Sequence, residues 1–476
     1  MPVFGCGASG RYNYPGNAPV ALFGISNLVT LLRQPTSSDS AGHARSHVRW
    51  TIVAMLAGLS LTSYVQRMNI SIASELMMPA LSLSKIQMGE IFSSFVVGYA
   101  LFQIPAGILG DRFGPRLVLT AAALSWGATT LLTGLIPGIV LKSSFSIFAS
   151  LLLLRFLLGI GESATYPVAA RAIANWTRPS ERAFSNAVVI AGLSFGSAVT
   201  PPIVSSLMVK IGWRGSFFAT AALALFMGFL WLIFSTDFPE QHPWVTRSEL
   251  VVLAPARQLP QPKSGTESWL ASITNLNLAF LSLSYFFVSY VVYMFLFWFY
   301  IYLVEVREFT ILKGGIFASL PWISAAVLTP LGGSVCDFLA IRLGRIRASR
   351  LVAIVAFISS ACFLVVGART HGPYRAIVSL SLSVGCIESA EGAFWSTALE
   401  IAGECAGSGC GFLNMVGNLG GVVSTALVPV LIAHFGWVFS LASGAVGAVA
   451  GALLWTGIEA GPVETRGNLS AQPRGN

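Results

Sequence analysis

Twelve largely apolar stretches, each long enough to cross a lipid bilayer, alternate with short polar segments: 50–79, 90–110, 117–136, 147–174, 186–209, 215–235, 276–303, 314–336, 351–367, 376–400, 409–433 and 438–458. A hydrocarbon core about 30 Å thick is crossed by a helix of roughly 20 residues. Backbone groups in lipid must bond within their own segment, so these runs predict helices. The short alternating segments of a membrane barrel are absent. The first stretch is long and carries Arg67, which predicts a tilted or broken helix.

The one long polar interruption, 236–275, holds Pro239, Pro243, Pro255, Pro260 and Pro262 and leaves six spans on either side. It reads as a cytoplasmic linker between a half at 49–235 and a half at 276–458. Residues 1–48, rich in Gly, Ser, Pro and Asn, read as a disordered cytoplasmic tail, and 459–476 as a second cytoplasmic tail. With both ends inside, inner segments carry about two basic residues for each one outside, the expected bias.

The halves echo each other. Gly107-Ile-Leu-Gly-Asp111-Arg112-Phe-Gly114-Pro-Arg116 follows the second span, and Gly333-Ser-Val-Cys-Asp337, with Arg342, Gly344 and Arg345 beyond, follows the eighth. Asp111 and Asp337 are 226 residues apart, and Gly212-Trp213 and Gly436-Trp437 are 224 apart. A common offset predicts an internal repeat, hence an all-α integral membrane protein of twelve helices in two pseudo-symmetric six-helix halves. Repeated halves around a central site suit alternating access to the two sides of a membrane.

Composition agrees: 55% of residues are hydrophobic and 10% charged, too few charges for a soluble chain of this length. The excess of basic residues lies in loops and not on one face, so no nucleic-acid partner is expected. Cys6, Cys336, Cys362, Cys386, Cys405 and Cys410 have no disulfide-framework spacing, and no metal or cofactor is expected. No intramembrane nucleophile–base or metal-ligand cluster points to an enzyme.

The Gly107…Asp111-Arg112…Gly114…Arg116 string resembles the signature loop of the major facilitator superfamily. Within it, the chain resembles the anion:cation symporter family, which includes bacterial sugar-acid permeases and, more distantly, sialic acid and vesicular glutamate carriers. The matching segments are Gln66-Arg67-Met-Asn69-Ile-Ser71 in the first span, Arg155-Phe-Leu-Leu-Gly159-Ile-Gly161-Glu162-Ser-Ala-Thr-Tyr166-Pro167 in the fourth, Trp298-Phe-Tyr300-Ile-Tyr302 in the seventh and Asn414-Met-Val-Gly417-Asn418 in the eleventh. The resemblance implies a monomeric multi-pass protein of a bacterial inner membrane that moves a small organic anion with protons. A hexuronate, aldonate or aldarate is the expected cargo. An exchanger, a facilitator and a non-transporting sensor are the alternatives. Relatives often carry an acid just before the first-span arginine, where this chain has Gln66. Every histidine (His43, His47, His242, His371, His434) falls in a tail or loop, so coupling through histidine is not expected.

Charges placed mid-membrane cost at least about 2.5–3.5 kcal/mol each and mark functional residues. Arg67, Arg155, Glu162, Glu388 and Glu391 are such charges. Seven residues separate Arg155 from Glu162, which puts them on one helix face two turns apart. Arg67 and Arg155 are expected to form a cationic pocket whose guanidinium forks match a carboxylate. Burial and a nearby guanidinium act on a carboxyl proton in opposite senses, so occupancy of the site can switch Glu162 between neutral and charged. Glu162 is therefore the expected proton carrier, pairing with Arg155 when substrate leaves. The repeat offset sets Glu388 against Glu162 and Tyr293 against Arg67. Glu388 and Glu391 share a face, with Trp395 one turn beyond, and are candidates for a second protonation site in place of the acid missing at Gln66. Tyr293, Asn414 and Asn69 complete the expected substrate set, with Tyr290 and Asn418 on the same faces as Tyr293 and Asn414.

Overall fold

The structure, a computed structural model, describes residues 47–253, 275–403 and 406–458. Residues 1–46 of the first expected tail, the whole of the second and linker residues 254–274 lie outside the described residues. Fourteen α-helices are labelled in chain order: α1 Val48–Leu81, α2 Lys85–Phe113, α3 Pro115–Leu135, α4 Ser144–Ser163, α5 Thr165–Trp176, α6 Arg182–Phe234, α7 Arg247–Leu253, α8 Leu276–Glu305, α9 Ile311–Ala318, α10 Leu320–Leu343, α11 Arg345–Arg369, α12 Pro373–Glu388, α13 Glu391–Ala402 and α14 Ala406–Thr456.

Ten helical segments among the described residues are long and apolar enough to cross a membrane. Two of them are each divided by one glycine. Gly212 (φ 74°, ψ 168°) interrupts α6, and Gly436 (φ 79°, ψ 175°) interrupts α14. Counted on either side of these breaks, the twelve spans of the hydropathy pattern are all present. The paired breaks also make the repeat visible in the backbone. A second pair is Gly114 (φ 83°, ψ 152°) and Gly344 (φ 80°, ψ 156°), each ending the helix that carries its half's acidic motif. These dihedrals lie in a region that is essentially reserved for glycine.

Local signals set the helix ends. Ser84 accepts from the Gln87 amide while the Gln87 side chain accepts from the Ser84 amide, a capping box that starts α2. Asn275 and Thr310 cap α8 and α9 by the same kind of side-chain bond. Pro115 occupies the first turn of α3, where its missing N–H costs nothing. The third helix is also capped from a distance. Asp237 Oδ1 accepts the Arg116 amide at 2.8 Å, and a Cβ at Gly114 would fall 2.4 Å from that oxygen. The signature loop is thereby tied to the residues that follow the sixth span. Burial pushes the Asp237 carboxyl above its ordinary range, and the Arg116 amide and charge hold part of that back.

The first span runs unbroken through 34 residues, roughly 51 Å, so it is longer than the hydrocarbon core but not broken as the sequence allowed. The stretch read as linker is partly ordered. Residues 239–241 form a 3-10 turn, and Glu249 of α7 accepts the Arg49 amide at 3.2 Å.

Helices of the first half contact those of the second along α2–α14, α1–α8, α6–α9 and α6–α10. The bonds across this seam gather towards one end of the bundle. Ser71 Oγ donates to the Phe297 carbonyl at 3.0 Å, Ser93 Oγ to the Val422 carbonyl at 3.2 Å, and Lys85 Nζ lies 2.6 Å from Glu305 Oε2. A Cβ at Gly89 would stand 2.6 Å from the Thr425 carbonyl, so backbones touch there. Towards the other end the seam bond is Asn414 Nδ2 to Gln103 Oε1 at 2.6 Å.

Candidate functional site

Arg67 sits midway along α1, 3% exposed, with its guanidinium fully engaged. Nε donates to Glu162 Oε2 at 3.0 Å, Nη2 lies 2.9 Å from the same oxygen in an ion pair, and Nη1 donates to the Tyr64 hydroxyl at 3.3 Å. Three rings enclose the cation: Tyr64 at 4.6 Å, Phe95 at 5.0 Å and Tyr99 at 4.5 Å from centroid to guanidinium carbon. Such faces are each worth about 0.5–2 kcal/mol to a desolvated cation, which offsets part of the burial cost.

Two backbone features create this arrangement. A Cβ at Gly159 would lie 2.1 Å from the Phe95 carbonyl, so only glycine lets α4 close on α2 and bring Phe95 and Tyr99 beside Glu162. The fourth span then breaks directly after Glu162, α4 ending at Ser163 and α5 starting at Thr165. The tenth span breaks at the equivalent place, between Glu388 and Glu391, 226 residues later. Both glutamates thus stand at helix breaks related by the repeat.

The second half meets this site through α8. Phe297 is edge-on to Phe95 at 6.5 Å and stacked with Tyr293 at 6.0 Å. Tyr293 lies within electrostatic reach of both Arg67 and Glu162, and its hydroxyl donates to Asn418 Oδ1 at 3.1 Å. Asn418 Nδ2 in turn donates to the Asn414 carbonyl at 2.8 Å, and Asn414 reaches Gln103. A polar chain therefore runs from beside Arg67 to the Gln103–Asn414 bond between the halves.

Several expected roles are revised by this geometry. Arg155 was expected to pair with Glu162, yet the carboxylate is taken by Arg67. Arg155 is 1% exposed, donates from Nη1 to the Gln66 carbonyl at 3.1 Å and faces the Phe217 ring at 5.7 Å. Its Nε and Nη2 are buried with no hydrogen-bond partner among the described residues, and it lies within electrostatic reach of Glu162. Sharing a helix face with Glu162 set its direction but not its partner, because α1 and α6 reach it first. Asn69 was expected in the substrate set with Arg67, and the two residues, two apart on one helix, point about 200° apart. Its Nδ2 donates to Thr220 Oγ1 at 2.7 Å, inside the first half. Asn69→Ala is therefore expected to leave substrate affinity within about twofold of wild type while lowering stability by about 1 kcal/mol. A binding titration beside a thermal melt checks this, and a tenfold loss of affinity would return Asn69 to the site. Tyr290 bonds Ser443 at 2.8 Å and so diverges from Tyr293.

Glu391 accepts from the Tyr285 hydroxyl at 3.0 Å and from Trp395 Nε1 at 2.7 Å. Glu388 lies across the helix break from it, and both are half-buried. In the signature loop, Asp111 Oδ1 is 3.5 Å from Arg171 Nε, and Gly107 packs on Pro167. Arg112 and Asp337 are exposed. Tyr64, Phe95, Tyr99, Tyr285 and Gln103 were not foreseen. Tyr64 alone had a signal, standing three residues before Arg67 on the same face.

The Major Facilitator Superfamily model matches residues 55–425. The chain is 31% identical over 402 residues to the probable sulfoacetate transporter SauU of Cupriavidus necator, covering 82% of this chain and 89% of that one. It is 29% identical over 440 residues to the probable galactarate/D-glucarate transporter GudP of Bacillus subtilis, covering 90% and 93%. In fold it is similar to a bacterial homologue of the human lysosomal transporter Spinster, solved in an inward-facing and unoccupied conformation, with TM-score 0.65, 18% identity and coverage of 87% and 96%.

Proposed function

We propose, for a chain that belongs to the Major Facilitator Superfamily and is a multi-pass membrane transporter, that its cargo is a small organic anion carried together with protons. The observation that carries this reading is the Arg67–Glu162 pair, in which two nitrogens of the guanidinium meet one carboxylate oxygen. While Glu162 is ionised it occupies the fork that an anionic substrate needs. A proton on Glu162 removes the competing charge and frees Arg67 for a substrate carboxylate. Departure of the substrate returns Arg67 to Glu162 and expels the proton. Proton and anion thus occupy the site together and leave it together, which is symport.

Arg155 adds a second buried positive charge within electrostatic reach of Glu162. Two guanidiniums against one carboxylate leave an excess of positive charge, which favours an anion. Tyr293, Asn418 and Asn414 offer phenol and amide groups suited to the hydroxyls of a sugar acid. The names of the two bacterial relatives, a galactarate/D-glucarate and a sulfoacetate transporter, fit that class. The loop charge bias supports an orientation with both termini in the cytoplasm, the bacterial relatives support a bacterial plasma membrane, and the protein is read as a monomer of two halves divided at residues 236–275. In that orientation the end of the seam joined by Lys85–Glu305 and Ser71–Phe297 faces outward.

Proteoliposome uptake tests the reading. With a panel of labelled aldarates, hexuronates, aldonates and short sulfonates, an imposed inward proton gradient should drive accumulation of at least one compound above its external concentration. Equilibration alone, insensitive to the gradient, would make the protein a facilitator. No flux for any panel member would overturn the cargo class.

A further inference from the structure

At the bonded end of the seam a lysine stands between two carboxylates from different halves. Lys85, the first residue of α2, reaches across to Glu305, the last residue of α8, at 2.6 Å, and its Nζ lies 5.8 Å from the Trp437 ring that follows the α14 break. Glu75, on α1 in the same half as Lys85, lies within electrostatic reach of both Lys85 and Glu305. Its Oε2 is buried and accepts no hydrogen bond among the described residues. One turn earlier on α1, Ser71 makes the bond to the Phe297 carbonyl. Glu75 therefore lies beside the surface that must part for this end to open.

We infer that Lys85 is a two-position switch: it bonds Glu305 across the seam in the conformation seen here, and turns to Glu75 within its own half when the seam parts. Opening this end separates α2 from α8. Without a second partner, Lys85 and the half-buried Glu75 would each be left uncompensated. Glu75 supplies that partner from the same half, so the ion pair is exchanged instead of lost. The two glutamates then act in opposite directions, Glu305 favouring the bonded seam and Glu75 the parted one. A simple clamp would need Glu305 alone. The Lys85 and Glu305 side chains are 34% and 27% exposed, so salt should weaken the effect without erasing it.

The test reads conformation without substrate, so its failure is separate from any failure of the transport reading. In a cysteine-free background, Ala80→Cys and Val306→Cys place spin labels on exposed positions either side of the seam. Distance distributions by double electron–electron resonance in nanodiscs then report the parted population. Glu305→Gln is expected to raise that population several-fold, and Glu75→Gln to lower it several-fold. Both differences should shrink at high salt. A shift with Glu305→Gln but none, or one of the same sign, with Glu75→Gln would overturn the exchange. Unchanged distances in both variants would overturn any role for the ion pair. Both substitutions keep side-chain size and remove only charge, and a monodisperse gel-filtration peak with an unchanged thermal melt verifies folding of each.

Discussion

Arg67→Ala is expected to abolish saturable substrate binding, with a loss of at least about a hundredfold in affinity. Two charge-assisted hydrogen bonds to a carboxylate are worth roughly 1.5–3 kcal/mol each, and no other guanidinium reaches the same position. Arg155 bonds the Gln66 carbonyl and not Glu162, so it does not occupy that position. The same substitution leaves Glu162 buried without its partner, and removing one member of a buried pair costs about 3–5 kcal/mol. Loss of binding could then reflect loss of the fold, so the informative comparison is the double variant Arg67→Ala with Glu162→Gln. That variant should recover most of the melting temperature and still fail to bind. Arg67→Lys should keep the charge but not the fork and bind weakly. Near-wild-type affinity in the folded double variant, measured by calorimetric titration with the compound identified by uptake, would remove Arg67 from the site.

Glu162→Gln is expected to separate exchange from accumulation. The neutral amide no longer competes for Arg67 and carries no proton, so substrate-for-substrate exchange should continue. Uphill uptake driven by a proton gradient should fall to background. The pH dependence carries a sign as well. In the wild type, raising pH ionises Glu162 and returns Arg67 to it, so apparent affinity should fall as pH rises, approaching tenfold per unit where one proton is linked to binding. In Glu162→Gln the slope should flatten to near zero. Gradient-driven uptake that survives in this variant would place the coupling proton elsewhere. Glu388 and Glu391, at the equivalent helix break, would then be the next groups to replace.

These expectations draw on different levels of the molecule. The helical class, the span positions and the repeat were legible along the chain because lipid imposes a local rule: every buried backbone group must be satisfied within its own segment. The equivalence of Glu162 and Glu388 was legible for a similar reason. Both fall at one register of a duplicated unit, and the helix breaks that follow them occur 226 residues apart.

Partner choice was not legible in this way. Glu162 had two arginines of comparable sequence merit, and periodicity favoured Arg155, two turns away on the same helix. The pairing with Arg67 depends on how closely α2 approaches α4 at Gly159, and on how α6 draws Gln66 and Asn69 to its own side through Thr220. Those are distances between helices far apart in sequence. The aromatic cage around Arg67 arises likewise, since Phe95 and Tyr99 come from another helix. The Lys85–Glu305 contact joins residues 220 positions apart and depends on how the halves tilt.

By itself, then, the sequence determined that this is a two-fold repeated helical membrane protein with costly charges at mid-depth, since hydropathy and helical period act over neighbouring residues. Only the tertiary structure decided which cation holds Glu162, which polar residues turn away, and where the halves are joined. Those outcomes follow from close packing between helices, where one missing Cβ sets which side chains can meet.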